Sequence, residues 1–513
     1  MIHNIPSSES THFSIFKHVQ KVTCKIFQVD IVLDPGNTKG KQRRSDWFCE
    51  LSHLKPRDKN LHKLLKSPNY RLENIPQSFI SENEHILTSG EVWVDITDVW
   101  VQPDHSVMVL EQDSKVSWSE ENMLVTRQSQ VARFSESIGE KKMLLVKIRA
   151  TGLNLFSLTE EDIFRGVFGK NEGSMNSQYQ ACSHNQLSFQ PVTGPGVSSL
   201  GVLTVTIPRT LFGRDLVKIY NLASEETKKE FGGFDDIDHV AYFLGFGTHF
   251  GSFFNMGWSG FSFLNGKMSI YNNLSGRYLS PLMHEVAHNI GLHHSTEGND
   301  EYGDETGYMG KNYPRNDDPL MCFNAAHSWQ LGWYQDRNVE IFPDNDGLNW
   351  SGQLFGVDDY NSTNANAVLY AIVLKIKNVE PLEDYYIMYN AQKGINRQVK
   401  EYPNKTMVVG SHGRSTTIRK VLGEQSEFRL SRYNNSNQDI IFRVCEKKID
   451  SVSALVYTLS SLAGEWYDSR GTEFNCDWYD VGERCISHGN GNSNFGMYAM
   501  DVCCTCIDEH SER

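Results

Sequence analysis

The sequence predicts an α+β protein: a mixed α/β domain with one histidine-bearing helix, then a β-rich domain and a small cysteine-rich C-terminal module. Strand-like and helix-like patterns alternate in the middle of the chain. Apolar runs typical of strands dominate after about residue 336. Five cysteines crowd the end of the chain, at Cys476, Cys485, Cys503, Cys504 and Cys506. The boundaries that we predict are 1–140, 141–335, 336–462 and 463–513.

Length and composition limit what the chain can be. Its 513 residues suffice for about three domains, and a 39% hydrophobic content is ordinary for a globular protein. The net charge of −14 argues against a general nucleic-acid binder. No apolar run reaches the length of a membrane-spanning helix, and the first twenty residues lack the apolar core of a secretory signal.

The region 1–140 divides into two parts. Residues 1 to about 80 are polar and locally basic, which predicts a solvated or partly disordered face. From about 90 to 135, runs such as EVWVDITDVWV and HSVMVLEQ alternate as short antiparallel strands do. Cys24 or Cys49 could cap a metal in a latent form, but no switch motif surrounds either, which favours a structural role. A pro-segment or an N-terminal β domain fits this region.

The mixed domain begins with the apolar strand Lys141–Ala150. A helix with Thr159 as its cap follows and places Ile163, Phe164, Val167 and Phe168 at helical spacing. Further elements are expected at 201–207 (strand), 224–231 (helix) and 239–247 (strand). A Gly- and aromatic-rich stretch then runs to Phe263. It could contribute an edge strand that pairs with an extended peptide, or simply core packing.

The segment SPLMHEVAHNIGLHH, from Ser280 to His294, carries the pattern H-E-x-x-H-x-x-G-x-x-H. Ser280 can cap a helix that starts at Pro281. On that helix His284 and His288 lie one turn apart on one face. A positive φ at the glycine of the pattern would end the helix and return the chain, so that His294 approaches the same point.

Three neutral imidazoles with an open fourth position are typical of a catalytic zinc site. Glu285, beside the first histidine, is placed to take a proton from a zinc-bound water. Five specified positions match by chance with a probability on the order of 10⁻⁴, so the pattern is far more specific than a bare H-E-x-x-H.

Beyond His294 the chain is polar and Gly-rich and carries Met309. Asn324 can cap a short helix, Ala325–Leu331, which Gly332 ends. His327 on that helix is interpreted as a packed or surface histidine. Strand-like runs from 367 to 459 then predict a β-sandwich-like domain.

The crowded C-terminal cysteines predict a disulfide-stapled module, which requires an oxidising compartment. A second zinc site is the alternative, although paired C-x-x-C spacing is absent from this tail. We therefore expect an extracellular or cell-wall location, reached through a start that this sequence does not display.

HEVAHNIGLHH followed by a methionine-bearing turn resembles the metzincin metalloproteases. YGDETGYMG and then MCFNAAHSWQLGWY resemble the gametolysin family, peptidase M11, which is known from algal enzymes that digest cell-wall and extracellular-matrix glycoproteins. The resemblance is densest from about 140 to 335 and continues more weakly through EDYYIMYNAQKGIN.

The resemblance implies a Zn²⁺-dependent endopeptidase acting on polypeptide or glycoprotein substrates. It implies His284, His288 and His294 as ligands and Glu285 as general base. Metzincins place a methionine beneath the metal. Met309 fits that turn better than Met321, which stays open. A tyrosine could steady the oxyanion, and Tyr313 is the candidate, with a plain loop tyrosine as the alternative.

Two alternative functions compete with the zinc endopeptidase. One is a catalytically latent matrix-binding or adhesion protein that keeps the metalloprotease fold, but it predicts a damaged histidine triad or a missing glutamate. The other is a zinc peptidase whose third ligand is Glu301 or Glu305, but that class needs neither Gly291 nor His294. The oligomeric state is left open.

Overall fold

The computed structural model describes residues 16–33, 44–51, 69–76, 78–80, 92–102, 107–118, 137–151, 158–170, 173–211, 216–245, 258–310, 318–342, 348–360, 370–378, 383–412 and 415–508. They form a mixed α+β chain with sheets of eleven, six and five strands. The chain divides into two compact units. The first comprises Met1–Gln180, Leu187–His293 and Asn312–Asp318, and the second Ala181–Gln186, His294–Lys311 and Pro319–Arg513.

The first unit carries the eleven-stranded sheet. Its strands are β1 (Lys17–Leu33), β2 (Arg44–Glu50), β3 (Asn69–Glu73), β4 (Val92–Gln102), β5 (Val107–Trp118), β6 (Gly139–Thr151), β7 (Leu187–Pro191), β8 (Val202–Thr210), β9 (His239–Leu244), β10 (Trp258–Phe263) and β11 (Met268–Asn272). Its helices are α1 (Glu160–Phe168), α3 (Leu216–Phe231) and α4 (Leu279–Asn289), and α2 (Met175–Cys182) runs from this unit into the second.

Strands β1 to β5 close into a barrel in the order β1-β2-β3-β5-β4, because β1 pairs with both β2 and β4. All neighbours are antiparallel except β3 and β5. Val22, Cys24 and Ile26 alternate inward from β1 into the barrel core, and Cys24 is bonded to Cys49. The prediction of strands after residue 90 is confirmed. The prediction of a solvated face before residue 80 is wrong for β1 to β3, because their inward residues pack together although the surrounding sequence is polar.

The rest of the sheet is mainly parallel. Strand β6 lies parallel to β7, β8 and β9, and β9 lies parallel to β11. Strand β10 runs antiparallel to β11 on one side and to β1 on the other. The sequence allowed β10 to be an edge strand. In the structure both of its sides are paired, and residues 246–257, the remainder of that aromatic-rich stretch, lie outside the described residues.

The predicted helices are confirmed, but two of them start earlier than predicted. Helix α3 begins at Leu216, eight residues before the predicted start at Ser224. Thr159 caps α1 through a reciprocal bond with Asp162, and Asn324 caps α5 (Ala325–Leu331) by accepting from the His327 N–H. Helix α4, in contrast, begins at Leu279 with Tyr278 at the cap position. Ser280 is therefore not the N-cap. Its main-chain N–H donates to the Asp318 carboxylate at 3.2 Å, so a distant acid satisfies the helix start.

The second unit has two sheets around one core. The six-stranded sheet contains β12 (Ser295–Thr296), β13 (Asn338–Ile341), β16 (Val373–Ile376), β17 (Asp384–Tyr389), β18 (Thr406–His412) and β19 (Ser415–Leu422). The five-stranded sheet contains β14 (Leu348–Phe355), β15 (Tyr370–Ala371), β20 (Glu427–Leu430), β21 (Gln438–Lys447) and β22 (Ser451–Ser460). Apolar side chains of both sheets share a cluster, as the sandwich prediction requires.

Short helices α6 (Cys476–Tyr479), α7 (Arg484–His488), α8 (Ala499–Val502) and α9 (Cys504–Asp508) form the C-terminal module. Disulfides join Cys476 to Cys503, Cys485 to Cys506 and Cys504 to Cys445 on β21. The predicted stapling is confirmed, and the alternative of a second zinc site is wrong because these thiols are consumed in disulfides. Within the described ranges, no helix has the length and apolar character needed to cross a membrane.

Candidate metal centre

Helix α4 supplies the first two histidines of the pattern. All eleven of its residues are buried. His284 and His288 lie one turn apart, and their Nε2 atoms approach to 3.1 Å. Tetrahedral zinc, with Zn–N bonds of about 2.0–2.1 Å, separates two ligand nitrogens by about 3.4 Å. The helix therefore holds two imidazoles close to the spacing that one zinc ion requires.

The third histidine arrives through a turn. Gly291 has φ +97°, a conformation that favours glycine, and its N–H bonds the His288 carbonyl at 3.0 Å. His284, His288 and His294 each offer one nitrogen, and these nitrogens all lie within 4.8 Å of one another. The predicted triad is thus brought together, and the described part of the chain contains no other cluster of this kind.

For His288 and His294, a hydrogen bond on the opposite ring nitrogen fixes which nitrogen the imidazole offers. His288 Nδ1 lies 2.8 Å from the Leu292 carbonyl oxygen, and His294 Nδ1 lies 2.9 Å from Glu301 Oε1. Both acceptors require a proton on Nδ1, which leaves the Nε2 lone pair for a cation. This donor set, three buried imidazoles that converge on one point, fits zinc.

Glu285 is fully buried beside strand β10. Ser262 Oγ lies 2.8 Å from Glu285 Oε2 and 2.7 Å from the Glu285 carbonyl oxygen, so its one proton serves either acceptor. At Gly260 a Cβ atom would lie 2.8 Å from Glu285 Oε1, closer than such contacts allow. Strand β10 therefore positions the carboxylate. Neither Ser262 nor Gly260 was singled out from the sequence, where nothing distinguishes them from other small strand residues.

The loop after His294 folds back on itself. Ser295 N–H donates to the Met309 carbonyl at 3.0 Å, and Asp304 N–H donates to the Ser295 carbonyl at 3.2 Å. A Cβ at Gly310 would overlap the Asp304 carbonyl, so this turn needs glycine. Met309 is 1% exposed and Met321 is fully buried, so burial does not distinguish the two candidates for the methionine turn.

The remaining sequence candidates have plain outcomes. His327 is 1% exposed, with Nε2 3.4 Å from Thr416 Oγ1, which confirms a packed histidine. Cys24 and Cys49 are bonded to each other, so neither is a thiolate available for a metal. Tyr313 lies outside the described residues. Glu301, a rival third ligand, instead accepts from the ring of His294.

A model of the gametolysin peptidase M11 family matches residues 141–411, more than half of the chain. The chain belongs to the gametolysin M11 peptidase family. The match begins within β6 and includes helix α4 and the turn that carries Met309, so the geometry described above lies within the family's own region. Because this is a peptidase family, membership supports a protease.

The curated protein named autolysin, from Chlamydomonas reinhardtii, is 40% identical to this chain over 57 residues. The aligned part is 11% of this chain and 9% of the autolysin. The similarity therefore covers a short segment of both proteins.

Proposed function

We propose that this gametolysin family member is a zinc-dependent endopeptidase with a metzincin-like catalytic domain. The observation that carries the proposal is the convergence of three imidazoles on one point, with Glu285 buried next to the first. His284, His288 and His294 would hold the zinc ion, and Met309 would supply the methionine of the turn that follows them. Bound zinc makes water more acidic and polarises the scissile carbonyl.

Glu285 performs the proton transfers. Its carboxylate takes a proton from the attacking water as the water oxygen bonds to the carbonyl carbon. When the C–N bond breaks, Glu285 passes that proton to the departing amine nitrogen. The Ser262 hydroxyl supports the role, because a bond to Oε2 fixes the orientation of the carboxylate.

The expected substrates are extracellular-matrix or cell-wall glycoproteins. All ten cysteines form disulfides, which suits an oxidising location outside the cell. Membership of the gametolysin family, known from algal enzymes that digest cell-wall and extracellular-matrix glycoproteins, supports a wall or matrix target. We propose the domain organisation 1–140, 141–335, 336–462 and 463–513, with the first region as a pro-like segment. Its support is β1, which pairs Asp30 with Ser262 and Val32 with Gly260 on the strand that contacts Glu285.

Cleavage of gelatin by the purified chain tests the proposal. We expect Glu285→Gln to lower the rate by about 10²–10⁴-fold while zinc content matches the parent. Glu230→Gln, on the exposed end of α3, is the matched control and should cleave as the parent does. A chelator should stop cleavage.

Equal cleavage by parent and Glu285→Gln would reject the assigned base. If neither cleaves although both hold one zinc, and the parent binds gelatin, the matrix-binding alternative replaces the peptidase.

A further inference from the structure

One side chain outside the histidine triad touches a proposed ligand ring on its far nitrogen. Glu301 Oε1 accepts a hydrogen bond from His294 Nδ1 at 2.9 Å. The His294 side chain is 5% exposed and the Glu301 side chain is 51% exposed. The corresponding acceptor for His288 is a main-chain carbonyl, that of Leu292. His294 is thus a ring whose orientation is held by a replaceable side chain.

The loop is built to return Glu301 to this ring. Glu297 and Asp300 exchange main-chain hydrogen bonds at 3.1 and 3.0 Å, and Gly298 between them has φ +59°. This tight turn reverses the chain directly before Glu301. The Gly303 N–H then bonds the Asp300 carbonyl at 2.9 Å, which continues the folded path.

Tyr302 restricts the same ring in another direction. Its ring centroid lies 3.8 Å from that of His294, at an interplanar angle of 41°, and the residue is 2% exposed. The aromatic contact limits tilting of the imidazole, whereas the Glu301 bond limits rotation about the Cβ–Cγ axis. With both contacts in place, Nδ1 of the His294 ring faces the carboxylate, and Nε2 lies on the opposite edge of the ring.

We propose that Glu301 is a positioning residue that orients His294 and sets its tautomer for metal binding. The inference rests on the metal site proposed above. A carboxylate on the far nitrogen of a ligand histidine fixes the ring, raises its basicity, and typically contributes 10–100-fold in metal affinity. A glutamine at 301 keeps an oxygen acceptor but lacks the charge, so it should preserve part of the effect.

Zinc affinity, measured by competition with a chelator of known affinity at fixed pH, tests the inference without relying on activity. We expect Glu301→Ala to weaken binding by about 10–100-fold and Glu301→Gln by a smaller factor. Asp300→Asn is the matched control. It removes the same charge from the same loop and keeps the acceptor for the Tyr302 N–H, so its affinity should stay within about twofold of the parent.

Two further readouts separate positioning from general damage. The visible spectrum of the cobalt-substituted protein should change in Glu301→Ala but not in Asp300→Asn. Thermal unfolding of the metal-free proteins should coincide. Parent-like zinc affinity in a folded Glu301→Ala, or an equal loss in Asp300→Asn, would overturn the inference. A parent chain that binds no zinc would overturn the metal site itself.

Discussion

Two kinds of structure deliver the proposed ligands, and they differ in what holds them. His284 and His288 lie on a helix that is buried along its whole length, so backbone periodicity and packing fix their spacing. His294 lies at the start of a loop, where a turn, a carboxylate and an aromatic ring fix its orientation. We call His284 and His288 with helix α4 the helix side of the site, and His294 with the loop that follows it the loop side. Regular structure makes the helix side rigid, whereas the loop side depends on individual contacts that single substitutions can remove.

Loss of a ligand should have the largest effect. His288→Ala removes a nitrogen from the helix side, and a zinc site shares about 10–16 kcal/mol among its ligands, so zinc affinity should fall on the order of 10³-fold. Chelator competition would measure it. His327→Ala is the matched control, since this histidine is also buried but lies outside the cluster. Zinc retained by His288→Ala would remove His288 from the ligand set.

A substitution that crowds the Glu285 carboxylate should lower the rate of hydrolysis and leave zinc binding unchanged. The Cβ of Gly260→Ala would press on Oε1 at 2.8 Å and displace the carboxylate. A misplacement of about 1 Å can cost about 10²-fold in rate. Peptide hydrolysis at matched zinc content would show it, with Gly464→Ala, where an added Cβ meets nothing within 4 Å, as the neutral control. An unchanged rate would mean that Glu285 is not held by β10.

Weakening the β1–β10 ladder should increase activity. Val32 pairs with Gly260, and Val32→Pro places in the ladder a residue that paired strands disfavour. If the pairing loses about 1 kcal/mol, the fraction of molecules in which β1 has separated from β10 rises about fivefold. The cleavage rate should rise by the same factor, because only those molecules are active if β1 acts as a pro-like segment. Lys21→Pro, on the part of β1 that pairs with β4 alone, controls for barrel damage. Equal effects of the two prolines would argue against a pro-like role.

The smallest expected effect is a change in the pH dependence of thermal stability through Glu401, which lies close to the loop after His294. Burial, followed by the charges of Glu297, Asp304 and Glu305, raises the pKa of Glu401 to about 8 from an ordinary value of 4.5. A raised carboxyl pKa favours the protonated folded state, so stability is greatest below pH 4.5 and is lost as pH rises through 8. Glu401→Gln should therefore raise Tm on the order of 2 °C above pH 8 and leave it unchanged below pH 4.5. Identical pH profiles of parent and variant would contradict this.

The helix side was largely predictable from sequence, because periodicity and turn chemistry are local. The spacing of His284 and His288 and the positive φ of Gly291 follow from the motif itself. The short helix after Asn324 is predicted to the residue, since its cap and its terminal glycine lie at its ends. The start of α4 was missed because Asp318, 38 residues from Ser280, replaces the local cap.

The loop side was not predictable, because its contacts form only when the loop after His294 folds back and brings Glu301 and Tyr302 against the His294 ring. Nothing in the sequence distinguishes Glu301 as an acceptor for His294 from Glu301 as a ligand. The pairing of β1 with β10 joins strands more than two hundred residues apart, and no local pattern encodes it. Cysteine spacing predicted stapling at the C-terminus, but it could not predict that Cys504 would reach Cys445.

Crystallography with data collected at the zinc absorption edge tests the central claim most directly. The account predicts one anomalous peak, about 2.0–2.1 Å from one nitrogen each of His284, His288 and His294, with Glu301 bonded to the far side of the His294 ring. A peak coordinated by the Glu301 carboxylate in place of His294, or no peak among the three imidazoles in active protein, would contradict it.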